Sequence, residues 1–165
     1  MREFNQEEFH YFFSGTEPDN YFEMVAEESN TMLMSYFHAK KKGKKFLAER
    51  FKICPDLQLI VDSGAFTFLG NPEEHTDKED SYWDKYLTEY CNFITSNKEH
   101  VFAAGDLDID EVVGSEKVDE WREKYFKPLE DEGIQMIYMW HPQRGDRGWE
   151  EMCKKHKYIC VEYIS

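Results

Sequence analysis

The sequence lacks several features that would assign it to a well-marked class of protein. Its apolar runs fall far short of the roughly 20 residues that cross a membrane, and its first residues do not have the shape of a secretory signal. We therefore expect a cytoplasmic protein with no membrane contact. Neither a Gly-x-Gly-x-x-Gly turn nor a phosphate-binding Gly-Lys-Thr loop is present, which removes the signature of the nucleotide-binding open sheets.

Cysteine is scarce, and none of the four cysteines forms a Cys-x-x-Cys pair. Cys153, His156 and Cys160 stand close together in the sequence, but no fourth ligand joins them at the spacing of a zinc finger. We therefore expect reduced thiols and no bound metal.

Positive charge is also scarce. The formal net charge is −14, which argues against a protein that coats nucleic acid, because phosphate binding needs a basic surface. The one dense basic run is KKKGKK at residues 40–45. We interpret this run as a solvated loop that leads into a helix, with contact to phosphate as the alternative.

What is present is the composition of a globular protein. Of the 165 residues, 41% are hydrophobic and 16% aromatic, which supports one domain spanning residues 1–165. Several of the apolar runs are almost uninterrupted, as is typical of strands buried on both faces of a parallel sheet. The six predicted strands are 10–14, 31–37, 57–61, 101–105, 134–140 and 158–164.

Helical patterns separate these runs. In the clearest one, apolar residues recur at three- and four-residue spacing from Trp83 to Ile94. Four other patterns predict helices at about 19–28, around 46–51, from Ser115 to near Gly133, and at 148–155, and Pro128 should bend the fourth near its end. Strict alternation of strand and helix predicts an α/β fold with right-handed crossovers.

An open doubly wound sheet and a TIM-type barrel both fit this alternation. We favour a TIM-barrel-like sheet of about six βα units. At 165 residues the barrel would be incomplete, because a full one needs about 250. Such a sheet would leave an exposed edge for a C-terminal partner chain or for a second copy of the protein.

Polar side chains follow three neighbouring predicted strands at the point where each strand ends. The runs are DSGAFT at 62–67, GDLDID at 105–110 and WHPQRG at 140–145. In α/β folds the loops after the strands build the functional site. The sequence therefore predicts a site in which carboxylates, a histidine and an arginine share one rim.

Each run also has a simpler interpretation. The DSG triplet is suited to a plain strand-ending turn. Asp106, Asp108 and Asp110 resemble the first half of a calcium loop, although the loop's glycine and closing glutamate are absent. A divalent metal held by Asp62, Asp108 and His141 is chemically possible and would support a metal-dependent hydrolase. We expect neither a bound metal nor a cofactor.

The run at 62–67 resembles the Asp-Ser-Gly-Gly-Phe-Gln motif of tRNA-guanine transglycosylases. It is most similar to the phage and bacterial relatives that exchange guanine for a 7-deazaguanine in DNA. Weaker likeness at 11–17, 33–37 and 132–143 extends this resemblance along nearly the whole chain. It implies a glycosyl transferase that exchanges a base in nucleic acid, with DNA favoured over RNA. It also implies a location in the host cytoplasm if a phage encodes the chain.

The resemblance also implies roles for individual residues. Asp62 matches the family aspartate that acts as acid and base on the leaving purine, and Ser63 and Gly64 match neighbours that line the base pocket. Asp108, with Asp106 as the second choice, matches the aspartate that reads the amide edge of the base.

Two further positions belong to the predicted base pocket. His141 or Gln143 falls where the family has a pocket glutamine. Phe66, Phe68 or Trp140 could supply the wall on which a flipped base stacks. Apolar surroundings could raise the pKa of the acid, Asp62.

Base exchange also needs a nucleophile, because the C1′–N bond breaks through a cation-like sugar that a carboxylate can trap. In the family this aspartate follows the strand that corresponds to the last predicted one. The resemblance thus implies the N-terminal part of a split enzyme. The alternatives are a module that binds a purine or a partner without catalysis, and the metal-dependent hydrolase.

Overall fold

The computed structural model describes residues 11–43, 45–70 and 72–161. Five strands make one sheet: β1 Thr31–Ser35, β2 Gln58–Asp62, β3 Val101–Gly105, β4 Met136–Trp140 and β5 Ile159–Val161. The helices are α1 Asp19–Ala26, α2 Tyr36–Lys42, α3 Phe46–Ile53, α4 Ala65–Leu69, α5 Asp80–Ser96, α6 Asp110–Val113, α7 Ser115–Trp121, α8 Lys127–Asp131 and α9 Gly145–Lys155.

Every pair of neighbouring strands is parallel, and the strands follow one another across the sheet in the order of the sequence. The prediction of an α/β fold with a parallel sheet is confirmed. Right-handed crossovers that always advance in one direction put the helices on a single face. Burial in β1 follows this arrangement, because Met32 and Met34 are fully buried whereas Leu33 between them is only half-buried.

The first predicted strand is reduced to one parallel bridge between Phe13 and Met32. The Phe13 amide donates to the Thr31 carbonyl (3.2 Å), and the Phe13 carbonyl accepts from the Leu33 amide (2.8 Å). This segment therefore lies beside β1 as the outermost chain of the sheet. His10 at one end, and residues 162–164 of the last predicted strand, lie outside the described residues.

The predicted strand at 31–37 is too long, because helix α2 begins at Tyr36. The buried Tyr36 ring packs against Tyr86 and Tyr90 of α5, with centroids 5.4 and 5.1 Å away. The prediction of a loop at the start of the lysine run is also wrong. Residues 40–42 form the last turn of α2, where positive charge is favoured by the helix dipole.

The fourth predicted helix is interrupted by a π-helical segment, Arg122–Phe126, between α7 and α8. Pro128 has no N–H to donate, so the regular pattern of α-helical hydrogen bonds cannot continue through it. The predicted bend therefore takes the form of a wider turn. Arg122 at its start is buried.

Gly64 is the position where the backbone depends most on glycine. Its φ is +90°, and a Cβ there would lie 2.5 Å from the Cβ of Phe37. We expect Gly64→Ala to lower the free energy of unfolding by about 2–4 kcal/mol, from backbone strain and overpacking together.

Gly133 provides the matched control, because its φ is +89° but a Cβ there would meet nothing within 4 Å. Gly133→Ala should lower the free energy of unfolding by about 1–2 kcal/mol, because only the strain of a left-handed backbone conformation is added. Chemical denaturation of both variants measures the difference, and equal losses would contradict close packing at Gly64.

Candidate functional site

The C-terminal ends of the parallel strands meet at one edge of the sheet, which we call the rim together with the loops that follow. Ser35 at the end of β1 is in register with Asp62 at the end of β2. Beyond β3 and β4 come the chain segments that carry Asp108 and His141. The three polar runs predicted from the sequence therefore share this rim.

Two tyrosines of α5 fix the ends of β2 and β3. The Tyr90 hydroxyl lies 2.9 Å from the Val61 carbonyl and 2.8 Å from the Gly105 carbonyl, so it bridges the two strands. The Tyr86 hydroxyl donates to the Ser63 carbonyl over 2.6 Å. These contacts hold the turn after Asp62 in place.

Asp62 combines partial burial with few compensating contacts. Its Oδ2 accepts the Gly64 amide over 2.9 Å. Burial raises the pKa of Asp62 above the ordinary aspartate value, and the negative charges of Asp108 and Glu17 add to this effect, while the Gly64 amide and the Ser35 side chain oppose it. The carboxyl group therefore holds a proton more readily than a solvated aspartate does.

Asp106 lies in a buried ion pair. Its Oδ2 is 2.6 Å from Arg122 Nη2 and accepts from Nε over 2.7 Å, and its Oδ1 accepts the Met139 amide over 3.0 Å. Arg122 also donates to the Met139 carbonyl over 2.8 Å. Burial raises the pKa of Asp106 to about 6, although the Arg122 charge opposes the shift. Both oxygens are engaged, so we interpret Asp106 as the residue that joins β3 to β4 rather than as a contact to the base.

A cavity of about 380 Å³ opens at the rim, a volume within the range of small-molecule sites. Of the predicted site residues, four line it: Phe66, Asp108, His141 and Gln143. Asp110, Glu111 and Arg144 also line it. The Phe66 side chain is 87% exposed at the cavity, which is unusual for a large aromatic ring and leaves its face open for stacking.

Asp108 and His141 face each other in the cavity wall, and both are buried. His141 Nε2 lies 3.1 Å from Asp108 Oδ2 and 3.9 Å from Asp110 Oδ2. Asp108 thus places a carboxylate on the cavity wall, which suits a group that must recognise hydrogen-bond donors. Gln143 is more exposed, and its side-chain amide donates to Glu111 over 3.1 Å.

Ser63, Gly64 and Asp62 are not among the residues that line the cavity. Ser63 is fully buried, and Gly64 is packed under Phe37 of α2. These two residues shape the turn that presents Asp62. The rim thus has a cavity between the ends of β3 and β4 and an acid beside it at the end of β2.

Sequence reasoning gave no site role to Glu17 or Ser35, and it placed Arg144 on the rim without naming its partners. Glu17 Oε1 accepts the Ser35 amide over 2.9 Å and so lies close to Asp62. Arg144 Nη2 lies 2.5 Å from Asp110 Oδ1, and its Nη1 is 2.9 Å from Asp119. The WHPQRG run contained the arginine, but no pattern in the sequence indicated its partners.

Two of the alternative interpretations lose support from this geometry. Over residues 11–43, 45–70 and 72–161, no three His, Cys, Asp or Glu side chains come together as a group that could hold a metal ion. Asp106 also binds Arg122, so it does not take part in a calcium-type loop with Asp108 and Asp110. The four cysteines are free thiols.

None of the described helices is long and apolar enough to cross a bilayer. Comparisons with protein-family models, curated proteins and solved structures found no significant match. The chemistry of the rim therefore carries the functional argument.

Proposed function

We propose that this chain binds a guanine-type base at its rim and takes part in exchange of that base in nucleic acid, with DNA favoured over RNA and a 7-deazaguanine as the incoming base. The single observation that carries the proposal is the cavity of about 380 Å³ that Asp108, 3.1 Å from His141, lines together with the exposed ring of Phe66.

The winding of the sheet supports a TIM-barrel-like architecture for this proposal. The order of the strands across the sheet follows the sequence without a reversal. A doubly wound sheet, in contrast, has a point where the strand order reverses, and its ligand binds there. The Phe12 ring packs against Phe102 of β3 with 5.1 Å between centroids. Sheets wound in one direction curl toward closure, and their sites lie at the C-terminal ends of the strands.

Recognition of guanine follows from the arrangement of donors and acceptors. The amide edge of guanine presents the N1–H and the exocyclic amine as donors, so a carboxylate that accepts both is the matching group. Asp108 supplies the carboxylate, and Phe66 supplies a surface for the ring. Adenine presents an acceptor at N1, which would face the negative charge of Asp108.

Asp62 is the group suited to transfer the proton. In the exchange, the C1′–N9 bond to the old base breaks while the base gains a proton at a ring nitrogen, and a carboxylate supplied by a partner chain forms a bond to C1′. That carboxylate leaves C1′ when the incoming base attacks. The incoming base then loses its N9 proton as the new C1′–N9 bond forms. The raised pKa of Asp62 lets one side chain donate the first proton and accept the second. No net oxidation occurs and no proton is consumed.

A second candidate is a module that binds the base without catalysis. Its support is that the cavity carboxylates already have partners in the described part of the chain: Asp108 is near His141, Asp110 near Arg144, and Glu111 accepts from Gln143. This arrangement assigns no carboxylate to trap the sugar. The two candidates differ in whether the chain, mixed with the partner chain that supplies the nucleophile, exchanges a labelled base or only binds it.

Calorimetric titration of the purified chain with guanine, 7-deazaguanine and adenine tests the shared claim. We expect both guanine-type bases to bind and adenine to bind about five- to 150-fold more weakly, because one well-matched pair of hydrogen bonds discriminates by about 1–3 kcal/mol. Phe66→Ala should weaken guanine binding about five- to 150-fold through loss of stacking.

Tyr21→Ala is the matched control, because Tyr21 is another exposed aromatic ring but lies on α1, away from the cavity lining. This variant should bind guanine as the unmodified chain does. Equal affinity for guanine and adenine, or no binding of either, would overturn the proposal.

A further inference from the structure

The basic residues of α2 lie on the same rim as the cavity. We define the basic rim patch as His38, Lys41 and Lys42, all of which are exposed. Helix α2 starts directly after Ser35, whose register partner is Asp62. The chain as a whole carries a net charge of −14. The basic rim patch is therefore a local region of positive charge on an acidic protein.

The patch is linked to the cavity through helix α4. Lys41 Nζ lies 4.0 Å from the centroid of the Phe37 ring, and that ring packs against Phe68 with 5.5 Å between centroids. Phe68 belongs to the same short helix as Phe66, which lines the cavity. Phe37 and Phe68 therefore connect the patch to the short helix that lines the cavity.

The lysines of the patch differ from half of the other described lysines, which are paired with carboxylates. Lys40 lies 2.6 Å from Glu89, Lys117 lies 2.9 Å from Asp80, and Lys127 lies 2.6 Å from Asp131. Within the described ranges, no carboxylate lies within salt-bridge distance of Lys41 or Lys42. Their charge is therefore not neutralised within the chain and is available to an anion.

The patch also has a concave shape. His38, Lys41 and Lys42 line an open hollow of about 440 Å³ together with Gly15, Glu17 and Pro18. Glu17 is its one acidic residue, and the carboxylate is turned toward the backbone, where Oε1 accepts the Ser35 amide over 2.9 Å. A hollow lined on one side by lysines suits a phosphate group.

We propose that the basic rim patch holds the phosphodiester backbone of the nucleic-acid strand whose guanine enters the cavity. This inference rests on the proposed function and names its second contact surface. The acidic cavity recognises the donors of the base, and the patch contacts phosphates one or two nucleotides away. Phosphate contacts of this kind position the strand without reading its sequence.

The test compares two double variants that change the net charge equally. Lys41→Glu with Lys42→Glu removes the patch. Lys52→Glu with Lys98→Glu changes two exposed lysines that lie outside the rim. Binding of fluorescently labelled, guanine-containing DNA and RNA strands of the same sequence is measured between about 50 and 200 mM salt.

We expect the patch variant to bind the preferred strand at least ten-fold more weakly than the control variant does. The slope of log affinity against log salt should fall by about 1.4, since each lost phosphate contact contributes about 0.7 for single strands. Comparison of the DNA and RNA arms shows which backbone the patch prefers. Equal losses in both variants, no loss in either, or no binding by the unmodified chain would overturn the inference.

Titration with free guanine separates this inference from the proposed function. A patch variant that binds free guanine normally but binds the strand weakly supports both. If the unmodified chain binds guanine and the patch variant still binds the strand normally, only the patch inference fails. If the unmodified chain binds the strand but not guanine, the proposed function fails.

Discussion

Replacing Arg122 with methionine is expected to lower the free energy of unfolding by about 3–5 kcal/mol, because it leaves the buried Asp106 carboxylate without its counter-charge. The side chains of Arg122 and Asp106 are 3% and 1% exposed. Arg122 also donates to the Met139 carbonyl, so the variant loses the link between β3, β4 and the π-helical turn. Denaturant unfolding at neutral pH measures the change.

Two further variants make this expectation specific to the buried pair. Arg147→Met breaks an exposed ion pair of 2.9 Å to Glu151 and should change the stability by no more than about 0.5 kcal/mol. Adding Asp106→Asn to Arg122→Met should recover part of the loss, because no buried charge then remains. A loss below about 1 kcal/mol in Arg122→Met would contradict the structural role assigned to the pair.

Asp62→Asn is expected to slow base exchange about 10²- to 10⁴-fold, since an amide cannot transfer the proton that the departing base needs. The rate is measured as incorporation of a labelled 7-deazaguanine into a guanine-containing strand. Asp131→Asn, an exposed aspartate at the end of α8 and before the start of β4, is the matched control and should exchange at the normal rate. Normal exchange in Asp62→Asn would remove Asp62 from the mechanism.

The same substitution should raise stability at neutral pH. The pKa of Asp62 is raised in the folded chain above the ordinary value of 3.8, so the folded state binds more protons than the unfolded state over the interval between the two pKa values. The stability of the unmodified chain therefore falls as pH rises through this interval. The advantage of Asp62→Asn should be absent near pH 3 and present at pH 7, and unfolding at the two values measures it.

The fold was largely predictable because its signals are local. Continuous apolar runs predicted parallel strands, and the spacing from Trp83 to Ile94 predicted α5. The errors arose where tertiary contacts outweigh the local pattern. Tyr36 has a residue type that favours strands, yet its packing against two tyrosines of α5 starts helix α2. Ala65–Leu69 was missed because the DSG triplet before it reads as a turn.

The site was predictable as a set of strand-end residues but not as a geometry. The order of strands places Asp62, Asp108 and His141 on one rim, and the sequence is enough to argue this much. It could not show that Asp106 is paired with Arg122 from the fourth predicted helix, because that contact depends on a π-helical turn. Glu17 reaches Ser35 across 18 positions, which no motif indicates.

A crystal structure of the chain with bound 7-deazaguanine tests the central claim most directly. We expect the base to stack on the Phe66 ring, with its N1–H and exocyclic amine within about 3 Å of the Asp108 carboxylate and with Asp62 on the same side of the sheet. A base bound away from this cavity, or Asp62 and Asp108 on opposite faces of the sheet, would contradict it.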